Sequence, residues 1–453
     1  MFIGFDYGTS NCAVGVMQQG QPHVVSLGEH GKFIPSTLYA PSRDIIVHWL
    51  YQQLSPEQQL TFKRERSLPL QTSQLALREL IADGIEIDLA FGQLALAKYL
   101  DEPDEGYYIK SPKSFLGASG LAPMQINLFE DIVAAMMANI KSLAENTLKQ
   151  DISKAVIGRP INFQGLRGEE SNCQAIDILT NAAKRVGFSE VAFQYEPVAA
   201  GLEYEAKLTQ ETRVLVVDIG GGTTDCSMIL MSPDYMRQTS REAHLLSHSG
   251  VRIGGNDFDI QLALKGIMPS FGLDSMQKSG KPMPANCFNQ AVAINNVNEQ
   301  TEFYSASNRR LLQELIRDAE EPDKLVRLLK AHDRKLSYRL VNGAELAKIG
   351  LTTAESQQIL LEDIDEKLTV EVSRTLMRQA NVRQLYQIGQ LIDDAIKEAG
   401  TPPDAVFVTG GTAKSPVINQ FLREKLPDTP LVVGDHFGSV TVGLARWAER
   451  LYA

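Results

Sequence analysis

The sequence predicts an α/β fold with two related lobes, because the same strand–turn–strand arrangement occurs twice at widely separated positions. Residues 214–230 contain an apolar run, Asp218, three consecutive glycines, two threonines, Asp225 and a second apolar run. Residues 2–16 have the same arrangement, with Asp6 ahead of a Gly-Thr-Ser turn. Short apolar runs around a glycine cluster are typical of a β-hairpin. The hairpins lie a little under half the chain apart, which indicates one hairpin in each lobe.

The second hairpin turn has the composition of a phosphate-binding loop. Gly220, Gly221 and Gly222 carry no Cβ atoms, so their backbone N–H groups can converge on an anion at close range. Thr223 and Thr224 add hydroxyl donors. We therefore predict that this turn, and likewise the first one, binds phosphate.

The two aspartates that precede the turns predict a metal ion. A carboxylate is repelled by phosphate unless a cation lies between them, and Mg²⁺, held through oxygen and water ligands, is the usual cation. Asp6 and Asp218 are therefore candidate metal residues for one nucleotide gripped between the lobes. An ordinary glycine turn between core strands would explain either hairpin alone, but the matched aspartates favour the nucleotide interpretation.

Composition and charge exclude several classes of protein. The 453 residues are 43% hydrophobic and 22% charged, which is typical of a soluble globular chain of two to four packed units. A net charge of −11 argues against a nucleic-acid binder. We expect no membrane span and no signal peptide, because no apolar run approaches about 18 residues and the start lacks a basic segment. The four scattered cysteines indicate reduced thiols, and we expect a cytoplasmic protein.

The two hairpins resemble the phosphate loops of the actin-like ATPase superfamily. Within it, residues 3–11 and 218–225 are most similar to the DnaK-type heat-shock chaperones. The resemblance implies a two-lobed actin-like ATPase fold, that is, duplicated ribonuclease-H-like domains with inserted subdomains. Lobe I would span 1–210, with an insertion at about 40–150 and closure by 438–453. Lobe II would span 211–437, with an insertion at about 260–375.

The same resemblance implies catalytic roles for Lys113 and Glu196. The stretch from Lys113 to Gly117 is similar to a family segment whose lysine reaches the γ-phosphate. Glu196, just before Pro197, is similar to the family's glutamate that orders the metal and the attacking water. On the residues alone, Lys113 would be a surface lysine and Glu196 a favourable charge at a helix start.

Two further stretches are similar to the family's nucleotide-binding segments. Gly254 and Gly255 lie in a stretch that resembles a family turn approaching phosphate. Glu345, Lys348 and Thr352 are spaced i, i+3 and i+7, so they would share one helix face. The resemblance implies that this face binds the adenosine ribose and base, whereas the spacing alone is equally typical of a solvated ion pair.

The stretch 405–416 resembles the family's adenosine loop. Gly410, Gly411 and Thr412 would pass beneath the base, at the start of a helix. Lys414 replaces an arginine that stacks on adenine in the family, and a lysine cannot stack in that way. Phe437 stands where the family usually has aspartate. Adenine selectivity is therefore left open.

The resemblance implies a complete set of roles around ATP or ADP and Mg²⁺. The phosphates would be held by backbone N–H groups of Gly8, Thr9, Ser10 and Gly220 to Thr223. Asp6 and Asp218 would hold Mg²⁺ through water, and Lys113 and Glu196 would place the attacking water. Asp218 or Asp225 would orient that water or accept its proton, with Thr223 at the γ-phosphate. Gly254, Gly255, Glu345, Lys348, Thr352, Gly410, Gly411, Thr412 and Lys414 complete the nucleotide site.

The function implied is slow ATP hydrolysis by the nucleotide-binding part of a DnaK-like chaperone. Nothing in the sequence resembles a peptide-binding domain, so nucleotide state would set lobe closure for an unidentified protein partner or client. Two alternatives remain open: a nucleotide-gated scaffold without meaningful hydrolysis, and a small-molecule kinase of the same superfamily. We expect neither nucleic acid nor a membrane as a partner.

Overall fold

The computed structural model describes residues 1–103, 105–163, 167–235, 238, 242–434 and 438–453. The chain divides into two units. The first comprises Met1–Arg252, Gln390–Ala413 and Leu426–Ala453, and the second comprises Ile253–Gly389 and Lys414–Lys425. Phe437 lies outside the described residues.

Strands occur throughout both units. They are β1 (Phe2–Tyr7), β2 (Asn11–Gln18), β3 (Gln21–Val24), β4 (Ile34–Pro35), β5 (Thr37–Ala40), β6 (Ala90–Phe91), β7 (Tyr107–Lys110), β8 (Lys154–Arg159), β9 (Glu190–Tyr195), β10 (Thr212–Ile219), β11 (Thr224–Met231), β12 (Leu245–Val251), β13 (Ser356–Leu360), β14 (Thr369–Ser373), β15 (Ala405–Thr409) and β16 (Leu431–Val433).

Helices cover the sheets of the first unit and make up most of the second. They are α1 (Arg43–Gln53), α2 (Pro56–Glu65), α3 (Ser67–Ala82), α4 (Gln93–Asp101), α5 (Pro123–Leu148), α6 (Glu169–Arg185), α7 (Glu196–Glu205), α8 (Gly255–Leu262), α9 (Asn286–Val292), α10 (Val297–Phe303), α11 (Ala306–Asp318), α12 (Pro322–Asp333), α13 (Ser337–Gly350), α14 (Arg374–Ala380), α15 (Val382–Ala399), α16 (Pro416–Lys425) and α17 (Gly438–Tyr452).

Two sheets of the first unit share one strand order. In the first sheet the order is β3-β2-β1-β8-β9, with β4 beside β2, and in the second it is β12-β11-β10-β15-β16. In each sheet the first three strands pair antiparallel and the last two extend the sheet in parallel. Both predicted hairpins are confirmed as the pairs β1–β2 and β10–β11. The register of the second hairpin places Asp218 opposite Asp225.

Helix α17 packs closely on the first sheet. A Cβ atom on Gly4 would lie 2.3 Å from the backbone nitrogen of Ala445, and one on Gly15 would lie 2.5 Å from the carbonyl oxygen of Thr441. Such distances exclude any side chain at the two glycines. The fold therefore places α17 directly against the hairpin that carries Asp6.

Helices α7 and α17 meet within the hydrophobic core of the second sheet. A Cβ atom on Gly443 would lie only 1.8 Å from the carbonyl oxygen of Ala199, so the backbones touch at this point. Val198, Phe407 and Leu444 are buried around the crossing. A separate core lies among the first sheet and α1, α5 and α6. These two cores fix the positions of β1 and β10, the strands that carry Asp6 and Asp218.

The second unit contains α8 to α14 and α16 with the two-stranded sheet β13–β14. Helix α13 begins at Ser337 and ends at Gly350, and it packs against α8 and β13, while α11 and α12 pack against each other. Lys348 of α13 forms an ion pair with Asp259 of α8, with Nζ 2.7 Å from Oδ1. This buried contact ties α8 to α13 within the unit.

Candidate functional site

The two hairpin turns approach each other within the first unit. A Cβ atom on Gly221 would lie 2.0 Å from Ser10 Oγ and 3.1 Å from the backbone nitrogen of Ser10. The N–H of Gly220 donates to the carbonyl of Thr223 at 3.0 Å and closes the second turn. Because Gly221 contacts Ser10, the turn of Gly8, Thr9 and Ser10 lies directly beside the turn of Gly220 to Thr223. The glycines predicted from sequence to form two phosphate loops are therefore neighbours.

Three aspartates gather at the same place. Burial, and next the charge of Glu196, raise the pKa of Asp6 to about 7, and the same two causes raise the pKa of Asp225 to about 7. Burial, followed by the charges of Glu196, Asp225 and Asp6, raises the pKa of Asp218 well above its usual range. Carboxyl groups this close favour their neutral forms unless a cation joins them.

Lys113 provides positive charge to the cluster. Its Nζ lies 2.5 Å from Glu196 Oε1 and donates to the carbonyl oxygen of Gly158 at 3.2 Å. The side chain is 4% exposed, so Lys113 is not the surface lysine that its loop sequence suggested. Ser111 just before it has a left-handed φ of 58°, which turns the short helix Pro112–Phe115 toward the site.

Asp225 is held by two donors. The backbone N–H of Ile161 donates to Oδ1 at 3.1 Å, and the hydroxyl of Thr223 donates to Oδ2 at 3.1 Å. Both bonds favour the carboxylate form and partly offset the effect of burial. Asp225 therefore has a defined orientation between Ile161 and Thr223.

A small pocket opens beside these groups. It encloses about 250 Å³ of empty space, open solvent included, and is lined by Thr9, Lys113, Ser114, Pro160, Phe163, Glu196 and Thr223. One wall comes from the first hairpin turn, one from the second and one from the start of α7. The lining thus combines hydroxyl groups, one ammonium group and one carboxylate.

The third glycine turn lies against the end of β10. Gly410 has a φ of 89°, and a Cβ atom there would lie 2.4 Å from the carbonyl oxygen of Ile219 and 2.6 Å from Asp218 Oδ1. The N–H of Thr412 donates to the same carbonyl at 3.3 Å. Gly411 is exposed and Thr412 is buried. This turn therefore adjoins Asp218, and its adenosine role stays a prediction.

The remaining predicted residues belong to the second unit. Gly254 and Gly255 form the start of α8, where Asp257 Oδ2 accepts the N–H of Gly254 at 2.9 Å. Lys414 is exposed just before α16. Their adenosine and phosphate roles stay predictions.

The helix face predicted from Glu345, Lys348 and Thr352 is only partly formed. Helix α13 ends at Gly350, so Thr352 lies in the turn beyond it. The hydroxyl of Thr352 donates to the carbonyl of Ile349 at 2.7 Å, which accounts for its position in the turn. Lys348 pairs with Asp259 and also donates to the carbonyl of Gly255 at 3.2 Å. The i,i+3 spacing of Glu345 and Lys348 could not reveal that Lys348 pairs with Asp259 on a different helix.

The donor set fits a magnesium ion held through water. Across the residues that the structure describes, no group of three or more His, Cys, Asp or Glu side chains is placed to hold a metal directly. The charge of Asp6 nonetheless helps to raise the pKa of Asp218, after burial and the charges of Glu196 and Asp225. A hydrated divalent cation would relieve that repulsion, and Mg²⁺ characteristically keeps several waters.

Sequence reasoning missed Thr441 of α17. Its hydroxyl donates to Asp6 Oδ2 at 3.1 Å across 435 positions of the chain. Thr441 is fully buried. No motif around it signals the contact.

The fold is mixed α/β with several sheets and is consistent with the actin-like ATPase fold of Hsp70 proteins. Residues 124–275 match the sequence model of the Hsp70 protein family. Over that segment the chain is therefore similar to Hsp70 proteins.

Three curated relatives point to the same family. The chain is 29% identical over 266 residues to the chaperone protein DnaK of Carsonella ruddii, a match covering 57% of the chain and 38% of the relative. It is 25% identical over 461 residues to human heat shock 70 kDa protein 13, covering 98% and 87%. It is 23% identical over 433 residues to Thermus thermophilus DnaK, covering 94% and 57%. The chain thus spans about four- to six-tenths of the two DnaK proteins.

None of the helices in the described part is long and apolar enough to cross a membrane.

Proposed function

We propose that this chain is a DnaK-like protein that binds ATP with Mg²⁺ and slowly hydrolyses it to ADP and phosphate. The observation that carries the proposal is the Lys113–Glu196 pair set between two glycine turns and three aspartates whose pKa values are raised. Such a cluster suits a site that binds a triphosphate and a cation together. The two sheets of equal strand order support a two-lobed actin-like fold of duplicated ribonuclease-H-like domains.

The turns would hold the phosphate groups. Backbone N–H groups of Gly8 to Ser10 and Gly220 to Thr223 would donate to phosphate oxygens. Asp6 and Asp218 would hold the water shell of Mg²⁺. The ion, when bound, would neutralise charge on the phosphate oxygens. Lys113 would stabilise the charge that develops on the transferred phosphoryl group.

Asp225 is the better candidate for the proton acceptor. Its pKa of about 7 matches what general-base catalysis needs near neutral pH. Thr223 and Ile161 hold its two oxygens in defined directions. Glu196 and Lys113 line the pocket in which the attacking water would lie. Asp218, whose pKa is raised further, is assigned to the metal.

The pocket favours water over a larger acceptor. It has room for little more than a water-sized group among its lining side chains, and a phosphoryl group would use part of that room. This observation favours hydrolysis over the kinase alternative. Adenosine would be held by Glu345, Lys348, Thr352, Gly410, Gly411, Thr412 and Lys414. Nucleotide state would set lobe closure for an unidentified protein partner or client in the cytoplasm.

A phosphate-release assay, run alone and with candidate acceptors, tests the proposal. We expect slow release with ATP and Mg²⁺ alone. ATP binding without release would favour the scaffold alternative, and transfer to an added acceptor would favour the kinase. An Asp218→Asn variant should lose most of the release, and full activity in that variant would refute the metal assignment.

A further inference from the structure

The backbone of α17 lies very close to the first hairpin at Thr441. The carbonyl oxygen of Thr441 would lie 2.5 Å from a Cβ atom on Gly15, so only glycine permits this approach. Thr441 itself is fully buried. Its side chain therefore has a defined place above strand β1.

The hydroxyl of Thr441 acts on one oxygen of Asp6. It donates to Oδ2 at 3.1 Å, while Oδ1 lies 3.5 Å from a Cβ atom built on Gly8, at the turn. The bond thus directs Oδ1 toward the phosphate loop.

The same helix also locates Glu196. Gly443 touches Ala199 in the first turn of α7, and Glu196 is the first residue of that helix. Leu444 lies 3.1 Å from a Cβ atom built on Gly158, whose carbonyl oxygen accepts from Lys113. Helix α17 therefore sets Asp6, Glu196 and Lys113 relative to one another.

We propose that Thr441 is a positioning residue that sets the direction of the Asp6 carboxylate and thereby the strength of Mg²⁺-dependent nucleotide binding. The inference rests on the proposed function. It assigns to α17 a role in the site that none of the recognised motifs assigns to it. Through Asp6 the hydroxyl would affect the part of the affinity that Mg²⁺ supplies and leave direct phosphate contacts unchanged.

Calorimetric titration of the full chain with ADP, in Mg²⁺ and in EDTA, tests this role. Thr441→Val keeps the side-chain shape and removes the hydroxyl. We expect it to weaken ADP binding about five- to tenfold in Mg²⁺, because hydrogen bonds to charged groups are among the stronger ones. In EDTA the affinity should change less than about twofold. Thr441→Ser should restore most of the Mg²⁺ effect.

Thr72→Val is the matched control. Thr72 lies exposed on α3, and its hydroxyl only donates to the carbonyl of Leu68. This variant should bind ADP as the wild type does. An equal loss for Thr441→Val in Mg²⁺ and EDTA would overturn the inference, as would no loss at all. A wild-type chain that binds ADP no better in Mg²⁺ would overturn both the inference and the proposed function.

Discussion

Lys113 Nζ lies 2.5 Å from Glu196 Oε1, and the two side chains are 4% and 14% exposed. The charge of Lys113 also lowers the pKa values of Asp6, Asp218 and Asp225, against the larger effect of burial. The single ammonium group of Lys113 thus offsets part of the negative charge of four carboxyl groups, those of Glu196 and the three aspartates. Bringing a highly charged anion here requires further positive charge.

Replacing Lys113 with methionine should abolish most hydrolysis. We expect a loss of about 100-fold or more, because a cation at the developing charge is removed. We also expect the free energy of unfolding to fall by about 3–5 kcal/mol, since Glu196 is left as an unpaired buried charge. Single-turnover phosphate release and urea unfolding measure the two effects.

A double variant separates these two effects. Lys113→Met with Glu196→Gln removes both charges and should recover stability without recovering hydrolysis. Lys98→Met is the control, because Lys98 pairs with the exposed Glu86 and should cost less than about 1 kcal/mol. Recovery of activity in the double variant would contradict the assigned role.

Asp225→Asn should make the nucleotide-free protein more stable at high pH. Folding raises the pKa of Asp225 from 3.8 to about 7, so folding favours the protonated form. Its stabilising contribution is complete below pH 3.8 and is lost as the pH rises through about 7. An asparagine stays neutral, and we expect a gain of about 1–3 kcal/mol near pH 8.

The gain should shrink near pH 5, where wild-type Asp225 is already protonated. Hydrolysis should fall about 100-fold near pH 8 but much less near pH 5, because the proposed proton acceptor is already protonated at pH 5 in the wild type. Urea unfolding at the two pH values and phosphate release provide the measurements. A gain that is independent of pH would show that Asp225 titrates as an ordinary surface aspartate.

Gly410→Ala should damage the site far more than Gly400→Ala. Both glycines have positive φ, so each substitution costs about 1–2 kcal/mol for the left-handed backbone. A Cβ atom on Gly400 meets nothing within 4 Å, whereas one on Gly410 meets the Ile219 carbonyl and Asp218. Calorimetry should find ADP binding lost in Gly410→Ala and retained in Gly400→Ala. Equal affinities would show that the turn does not support Asp218.

Arg66→Met should destabilise the first unit without changing nucleotide affinity. Arg66 pairs with Glu130 and Asp131 at 2.9 Å each, and all three side chains are buried. Removing it leaves buried carboxylates and should cost about 3–5 kcal/mol. Arg309→Met should have little effect on stability, because Arg309 and its partner Asp333 are both exposed to solvent. Urea unfolding compares the variants, and ADP titration should find both with wild-type affinity.

The hairpins are predictable because each motif is local. Asp6 and Asp218 stand next to their own turns, and apolar runs specify strands on both sides. The buried Lys113 needed the family resemblance, since its loop sequence alone suggests a surface residue. Thr441 was not predictable, because its partner is 435 positions away and a threonine in a helix carries no signal. The sequence also did not predict that α13 ends before Thr352. Backbone hydrogen bonds in the last turn end this helix, and the spacing of Glu345, Lys348 and Thr352 carries no sign of that end.

Strand β1 begins at Phe2 and lies beneath α17, which ends at Tyr452. A ribosome makes β1 long before α17, so Gly4 and Gly15 remain uncovered until translation has passed Tyr452. Contacts of such long sequence separation form late, because closing a long loop costs entropy. In a nascent chain, the first hairpin therefore gains its helical cover only after α17 has left the exit tunnel.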